Sequence, residues 1–152
     1  MPEIISNTSC LIIPDNIDRL DILQKLYQTI HITEEVALEF GRPLANWMMV
    51  NAIQDKNTLR ILNASVDLGE ASTIALAVQM SGDTVMILDD LKARKLAKQL
   101  ELKYTELLGI LLKAKQQNII TSVSDILARF RQVGFRFSEK LEIEVLKLAG
   151  EQ

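Results

Sequence analysis

The stretch from Gly69 to Ala97 constrains the fold of this chain most, because it predicts a helix, a tight turn and a strand between two acidic residues. A helix over Glu70–Met80 descends roughly 16 Å at about 1.5 Å per residue, and a strand over Thr84–Leu88 climbs roughly 16 Å at about 3.3 Å per residue. Glu70 and Asp89 therefore return to one edge, at the carboxyl end of the strand. Open α/β sheets bind their ligands at that end. The sequence predicts that the two carboxylates can share one ion there.

Strands alternate with helices along the rest of the chain, which predicts a mostly parallel sheet with helices on both faces. Two β-branched runs, Glu3–Ser6 and Thr29–Ile32, predict the first two strands. The apolar run Trp47–Ile53 fits either a short edge strand or a helical turn, and we favour the strand. The remaining predictions are helix caps at Asn16, Thr33, Asp55, Ser122 and Ser138, and further helices over Asp90–Leu100 and Thr105–Gln116.

The composition of the 152 residues limits the class of protein. Hydrophobic residues make up 48% of the chain, which suffices for one domain with a sizeable core. The net charge of −3 excludes the broad positive field that drives sequence-independent nucleic-acid binding, so any RNA contact must be local. The single cysteine, Cys10, excludes an internal disulfide and disfavours a structural zinc site. Neither a signal-peptide pattern nor a long apolar run is present, so we expect a cytoplasmic protein with no membrane contact.

Six segments follow one another along the chain in a recognisable order. They read IISNTSCLI, HITEEVALEF, LGEASTIALA, MILDDLKARKLA, ELLGILLKAKQQNII and VGFRFS. Together they resemble the PIN-like domain family, which contains nucleic-acid-binding ribonucleases related to the toxins of bacterial toxin–antitoxin pairs. The resemblance implies an α/β, PIN-like three-layer fold, with a mostly parallel sheet of four to five strands and helices on both faces. We expect a single domain over residues 1–152, with residues 121–149 forming a carboxyl-terminal helical pair packed on it.

The resemblance also implies a metal site at the carboxyl edge of the sheet. The family acids map onto Glu39, Glu70 and Asp89 as catalytic carboxylates, and Asn7 and Asp90 complete the expected metal ligands. Carboxylates of this kind hold Mg²⁺ or Mn²⁺, and the bound ion can acidify a water for attack on a phosphodiester. Hydrolysis of RNA would leave a 5′-phosphate, as the resemblance implies.

Asn7 departs from the family pattern, which has an acidic residue after the first strand. An amide oxygen can ligate a metal but carries no formal charge, so the site loses one negative charge and a group that orients the attacking water. One hypothesis is a metal-dependent endoribonuclease weakened by Asn7, with the toxin of a toxin–antitoxin pair as a candidate role. The alternative is a non-catalytic nucleic-acid- or protein-binding module that kept the fold. A receiver-like phosphorylation domain fits less well, because its paired acids would follow the first strand.

Thr8, Ser9 and Arg94 are the expected contacts to single-stranded RNA. Arg94 also has a competing interpretation as the i,i+4 partner of Asp90 on one helix, and we favour this pair slightly. A small antitoxin protein is a candidate partner if the chain is a toxin. The run Trp47–Met49 and the apolar carboxyl-terminal seam favour a homodimer.

Glu70 and Asp90 have a structural interpretation beside the functional one. Both are predicted at helix amino termini, where an acid stabilises the helix dipole by roughly 0.3–1 kcal/mol. The shared edge and the resemblance favour a metal or substrate site for Glu70 and Asp89, whereas the structural interpretation is favoured for Asp90. Glu39 is balanced between a ligand and a solvated helix acid.

Overall fold

The computed structural model describes residues 2–152, which form five strands and nine helices. The strands are β1 (Glu3–Ser6), β2 (Ile30–Thr33), β3 (Met48–Asn51), β4 (Thr84–Ile87) and β5 (Lys103–Thr105). The helices are α1 (Ser9–Asn16), α2 (Asp21–Tyr27), α3 (Glu34–Phe40), α4 (Lys56–Asn63), α5 (Leu68–Gln79), α6 (Leu91–Gln99), α7 (Leu107–Gln116), α8 (Val123–Gln132) and α9 (Glu139–Leu148). None of these helices has both the length and the apolar character needed to cross a membrane.

The strands of residues 2–152 form one parallel sheet in the order β3-β2-β1-β4-β5. The chain first builds the sheet outward from β1 through β2 to β3, and then crosses back to place β4 on the other side of β1. The strand order therefore reverses between β1 and β4. In open α/β sheets a reversal of this kind opens a crevice at the carboxyl ends of the strands, where ligands bind.

Alternating side chains of the strands divide the core into two layers, one on each face of the sheet. Ile4 of β1 and Ile87 of β4 belong to the core layer that also contains buried residues of α1, α2, α3, α7, α8 and α9. Ile5 and Met86, their neighbours along the two strands, pack against α4, α5 and α6 on the opposite face. This alternation follows from the period of two along a strand. The predicted α/β fold, with three layers and helices on both faces, is confirmed.

Local sequence signals located most of the elements correctly. The run Trp47–Ile53 contains β3, which lies at one edge of the sheet as predicted. Four predicted caps, Thr33, Asp55, Ser122 and Ser138, accept a hydrogen bond from the first turn of their helices through their side chains. The helices α8 and α9, within the predicted range 121–149, belong to the core layer that contains α7.

One local prediction was wrong, and one strand was missed. Asn16 does not cap a helix but ends α1, which begins directly after β1 because the Asn7 side chain accepts the N–H of Cys10 at 3.1 Å. The short strand β5 was not predicted, since three residues are too few to show a period of two. β5 matters for the site because it places Glu106 beside the end of β4.

Candidate functional site

The ends of β1 and β4 lie side by side and bring Asn7 next to the segment that leads to Asp89. Ser6 pairs with Ile87 across the two strands, and the Asn7 N–H donates to the Ile87 carbonyl at 3.2 Å. Both side chains therefore belong to the crevice at the strand-order reversal.

Cys10 is buried near the start of α1. Burial raises the pKa of its thiol well above the usual value, and the charges of Asp89 and Glu70 raise it further. The charges of both carboxylates thus act on one buried thiol. That they share an ion stays a prediction.

Asn7 is buried, and its amide oxygen is already in use. Oδ1 accepts the N–H of Cys10 at 3.1 Å and the hydroxyl of Ser9 at 3.4 Å, which caps the start of α1. The Cys10 N–H occupies one lone pair of this oxygen, and the Ser9 hydroxyl lies at the long end of hydrogen-bond distances. Nδ2 is a donor and cannot ligate a cation. The loss relative to an aspartate is therefore larger than one unit of charge.

Glu39 is held against the start of α5 by a hydrogen bond and a glycine. The Thr8 hydroxyl donates to Glu39 Oε1 at 2.5 Å, which joins α3 to the end of β1. Gly69 makes the approach possible, because a Cβ added there would lie 3.0 Å from Glu39 Cδ and collide with Oε1. The exposed carboxylate of Glu39 therefore has a defined position beside Glu70.

Glu70 lines a cleft of about 190 Å³ together with Glu39 and Asp67. Burial raises the pKa of Glu70, its own backbone N–H lowers it, and the charges of Asp67, Asp90 and Glu39 raise it again. Asp67, just before α5, was missed in the sequence. The only available signal was its spacing of three residues from Glu70, which places both acids at one helix start.

Asp89 has different charged neighbours, supplied by α6 and by the segment after β5. Burial raises the pKa of the Asp89 carboxyl, the charge of Arg94 and the Leu107 N–H lower it, and the charge of Glu106 raises it. Arg94 forms an ion pair with Glu106. The predicted pair between Asp90 and Arg94 is wrong, because the guanidinium reaches across to the neighbouring strand end instead of along its own helix.

Asp90, Thr8 and Ser9 form hydrogen bonds that give each of them a structural role. The exposed Asp90 caps α6 by accepting the Ala93 N–H at 2.9 Å, as its structural interpretation predicted. Thr8 uses its hydroxyl proton on Glu39, and Ser9 uses its own on Asn7. Thr8 and Ser9 both line the cleft that Glu39 and Glu70 line.

Comparison with protein families agrees with the architecture and with the position of this edge. A sequence model of the PIN domain family matches residues 3–151. The chain belongs to the PIN domain family. Comparisons with curated proteins and with solved structures gave no match.

The ligand atoms of this PIN domain are of the type that a divalent cation prefers, but few of them lie close together. PIN domains generally use divalent metal ions, and the cleft offers carboxylate oxygens, which suit a hard cation. Within residues 2–152, however, no three side chains from histidine, cysteine, aspartate and glutamate come close enough together to hold a metal ion. Mg²⁺ keeps several waters and needs only one or two carboxylates. The site thus fits a largely hydrated, weakly held ion.

Proposed function

We propose that this PIN domain is a weakened metal-dependent endoribonuclease that acts on single-stranded RNA. The observation that carries the proposal is the cleft at the carboxyl edge of the sheet that Glu39, Asp67 and Glu70 line together. The pKa values of Glu70 and Asp89 are raised, so their ionised forms are disfavoured. A bound cation stabilises ionised carboxylates because it offsets their mutual repulsion. Family membership supports a nuclease-like module.

Each acidic side chain has a proposed task. Glu39 and Glu70 would hold Mg²⁺ or Mn²⁺ in the cleft, and Asp89 would complete the set from the end of β4. Thr8 would keep Glu39 in place through its 2.5 Å hydrogen bond. A divalent ion, when bound, lowers the pKa of water and neutralises charge on a phosphodiester. Asn7 would contribute no charge, and its oxygen already accepts the Cys10 N–H, which is the reason for the weakened activity.

The surface beside the cleft supports a polymeric substrate. A wider cleft of about 680 Å³ shares Asp67 with the first one and is also lined by Asp90 and the exposed Lys92. Thr8 and Ser9 at the start of α1 are proposed RNA contacts, since a hydroxyl oxygen that has donated its proton can still accept a hydrogen bond. Arg94 can contact a phosphate only if it leaves Glu106.

The decisive experiment is the variant Asn7→Asp. One carboxylate oxygen would keep the helix cap, and the second would replace Nδ2 with a charged ligand atom. We expect Mn²⁺ affinity, measured by calorimetry on the metal-free protein, to rise about tenfold. Cleavage of a single-stranded RNA in the presence of Mn²⁺ should rise well above that of the natural protein.

Two further variants make this result specific. Adding Asp89→Asn to Asn7→Asp should abolish the gain, whereas adding Glu144→Gln should leave it unchanged, because Glu144 is an exposed residue of α9. Circular dichroism would establish that every variant is folded. If all folded variants cleave RNA at the same background rate and none binds Mn²⁺ at millimolar concentration, the non-catalytic binding module is the correct function. The engaged amide oxygen of Asn7 already favours that second candidate.

The narrower role of toxin in a toxin–antitoxin pair rests on family membership alone. A short upstream reading frame that encodes a DNA-binding pattern would support it and would identify the small antitoxin partner. The absence of any such neighbouring gene would remove the toxin role and leave the ribonuclease proposal standing.

We also propose a homodimer through the edge strand β3. Met49 and Val50 are 50% and 45% exposed on this strand, which carries no charged residue to discourage pairing. The support is narrower than the run Trp47–Met49 suggested, since Met48 is buried and Trp47 packs on the core.

A further inference from the structure

The ends of β4 and β5 place two carboxylates side by side at the edge of the sheet. Ile87 pairs with Thr105, and the Leu88 N–H donates to the Thr105 carbonyl at 3.0 Å. Asp89 and Glu106 are the residues that follow these paired positions. Parallel strand ends that are hydrogen-bonded bring the residues after them close together, so two negative charges leave the sheet at one place.

Arg94 supplies the positive charge at this place. Its guanidinium is ion-paired with Glu106, and its side chain is only 21% exposed. The Nε atom is buried and has no hydrogen-bond acceptor among residues 2–152. A buried charged donor without an acceptor is unfavourable, so an additional carboxylate near the guanidinium stabilises it. Because Asp89 and Glu106 follow hydrogen-bonded positions of neighbouring strands, the guanidinium that pairs with Glu106 lies on the Asp89 side of the sheet edge.

We propose that Arg94 is a built-in counter-cation that Glu106 and Asp89 share, so that its charge offsets that of Asp89 and keeps a divalent cation away from that carboxylate. The inference rests on the proposed function, because it concerns access of the cation to the same acidic edge. The positive charge of Arg94 stabilises the Asp89 carboxylate, as a bound divalent ion would. The guanidinium and the divalent ion repel each other, so they do not occupy this place together. Arg94 is therefore a positioning residue, and metal binding at Asp89 requires the guanidinium to move away.

The first part of the test asks whether Arg94 competes with Mn²⁺, and it removes each partner of the ion pair between Arg94 and Glu106 in turn. Mn²⁺ affinity of the metal-free protein would be measured by calorimetry in both the natural and the Asn7→Asp background. Arg94→Met should raise the affinity about tenfold, because it removes a positive charge that repels the incoming ion. Glu106→Gln should lower it, because the guanidinium then has Asp89 as its remaining carboxylate. A purely structural ion pair would shift both variants in the same direction, and that result would overturn the inference.

Two controls accompany this arm. Lys95→Met removes a positive charge from an exposed position of the same helix and should leave Mn²⁺ affinity unchanged. Arg94→Lys keeps the charge, so it should give a smaller increase than Arg94→Met. If Arg94→Met weakens RNA binding without any gain in Mn²⁺ affinity, Arg94 is an RNA contact and the inference is wrong.

A second arm needs no metal and separates this inference from the proposed function. Thermal unfolding of the metal-free protein would be compared for Asp89→Asn, Arg94→Met and the double variant. Arg94→Met should lower Tm, and Asp89→Asn should recover much of that loss in the double variant, because it removes the charge left without a partner. Additive effects of the two changes would overturn the inference. If no variant binds Mn²⁺, the proposed function fails. The pairing of Arg94 with Asp89 is then tested by the thermal unfolding of the two single variants and the double variant.

Discussion

Replacing Glu151 by glutamine should destabilise the protein in a way that depends on pH. The Glu151 carboxylate accepts the N–H groups of Val123 at 2.7 Å and Ser124 at 3.0 Å, at the start of α8. It also accepts the Lys115 ammonium of α7 at 2.9 Å and the Ser122 hydroxyl at 3.3 Å. One carboxylate thus joins α7, α8 and the segment after α9.

The magnitude follows from the pKa of this group. Burial alone would raise the pKa of Glu151, but the hydrogen bonds from the Ser124 N–H, from Lys115 and from the Val123 N–H lower it from 4.5 to about 2. A pKa difference of one between the folded and unfolded states corresponds to about 1.4 kcal/mol, so the ionised carboxylate stabilises the folded state by about 3 kcal/mol. Its side chain is only 13% exposed, which limits the screening of this contribution by solvent.

The pH dependence has a definite sign. Because the folded pKa is lower than the unfolded one, the stabilisation is fully present above pH 4.5 and is lost as the pH falls toward 2. Urea unfolding of Glu151→Gln and of the natural protein should therefore differ by about 2–3 kcal/mol at neutral pH, by about half as much near pH 3, and by little at pH 2.

A matched control is available in α9. Glu144→Gln removes the same charge at an exposed site and should change the unfolding free energy by less than about 0.5 kcal/mol at every pH. A difference between Glu151→Gln and the natural protein that does not change between pH 7 and pH 2 would refute the assignment of this stability to the ionised carboxylate.

Two other predictions concern the site and the assembly. Gly69→Ala should leave Tm nearly unchanged, because the added Cβ displaces only the exposed end of the Glu39 side chain. Mn²⁺ affinity in the Asn7→Asp background should fall several-fold. A large drop in Tm would instead mean that α3 and α5 are forced apart. Light scattering should give a mass about twice the 17.1 kDa of one chain, and Val50→Lys should give the single-chain mass, whereas 17.1 kDa for the natural protein at all concentrations would remove the homodimer.

Signals that operate within a few residues can be recognised in the sequence alone. Thr33 is a helix cap because its own hydroxyl accepts an N–H three residues later, and this needs no distant partner. The alternation of Ile4 and Ile5 between two faces follows in the same way from strand geometry. The fold could therefore be predicted, and with it the edge at which Asp89 lies.

The chemistry of that edge was decided by contacts between residues far apart in the chain. The i,i+4 pair of Arg94 with Asp90 would contribute only about 0.3–0.5 kcal/mol, so a carboxylate presented by another strand can displace it, and Glu106 does so. That partner depends on the register of β4 with β5, which no local pattern reveals.

The sequence by itself determined the α/β class and the parallel sheet, because periodicity and capping are local. Only the tertiary structure decided what each group does there. It brought Asp67 into one cleft with Glu39 and Glu70, and it engaged the oxygen of Asn7 with the start of α1. The physical reason is that a ligand site depends on which atom of a side chain remains unpaired, and pairing is settled only when distant segments pack together.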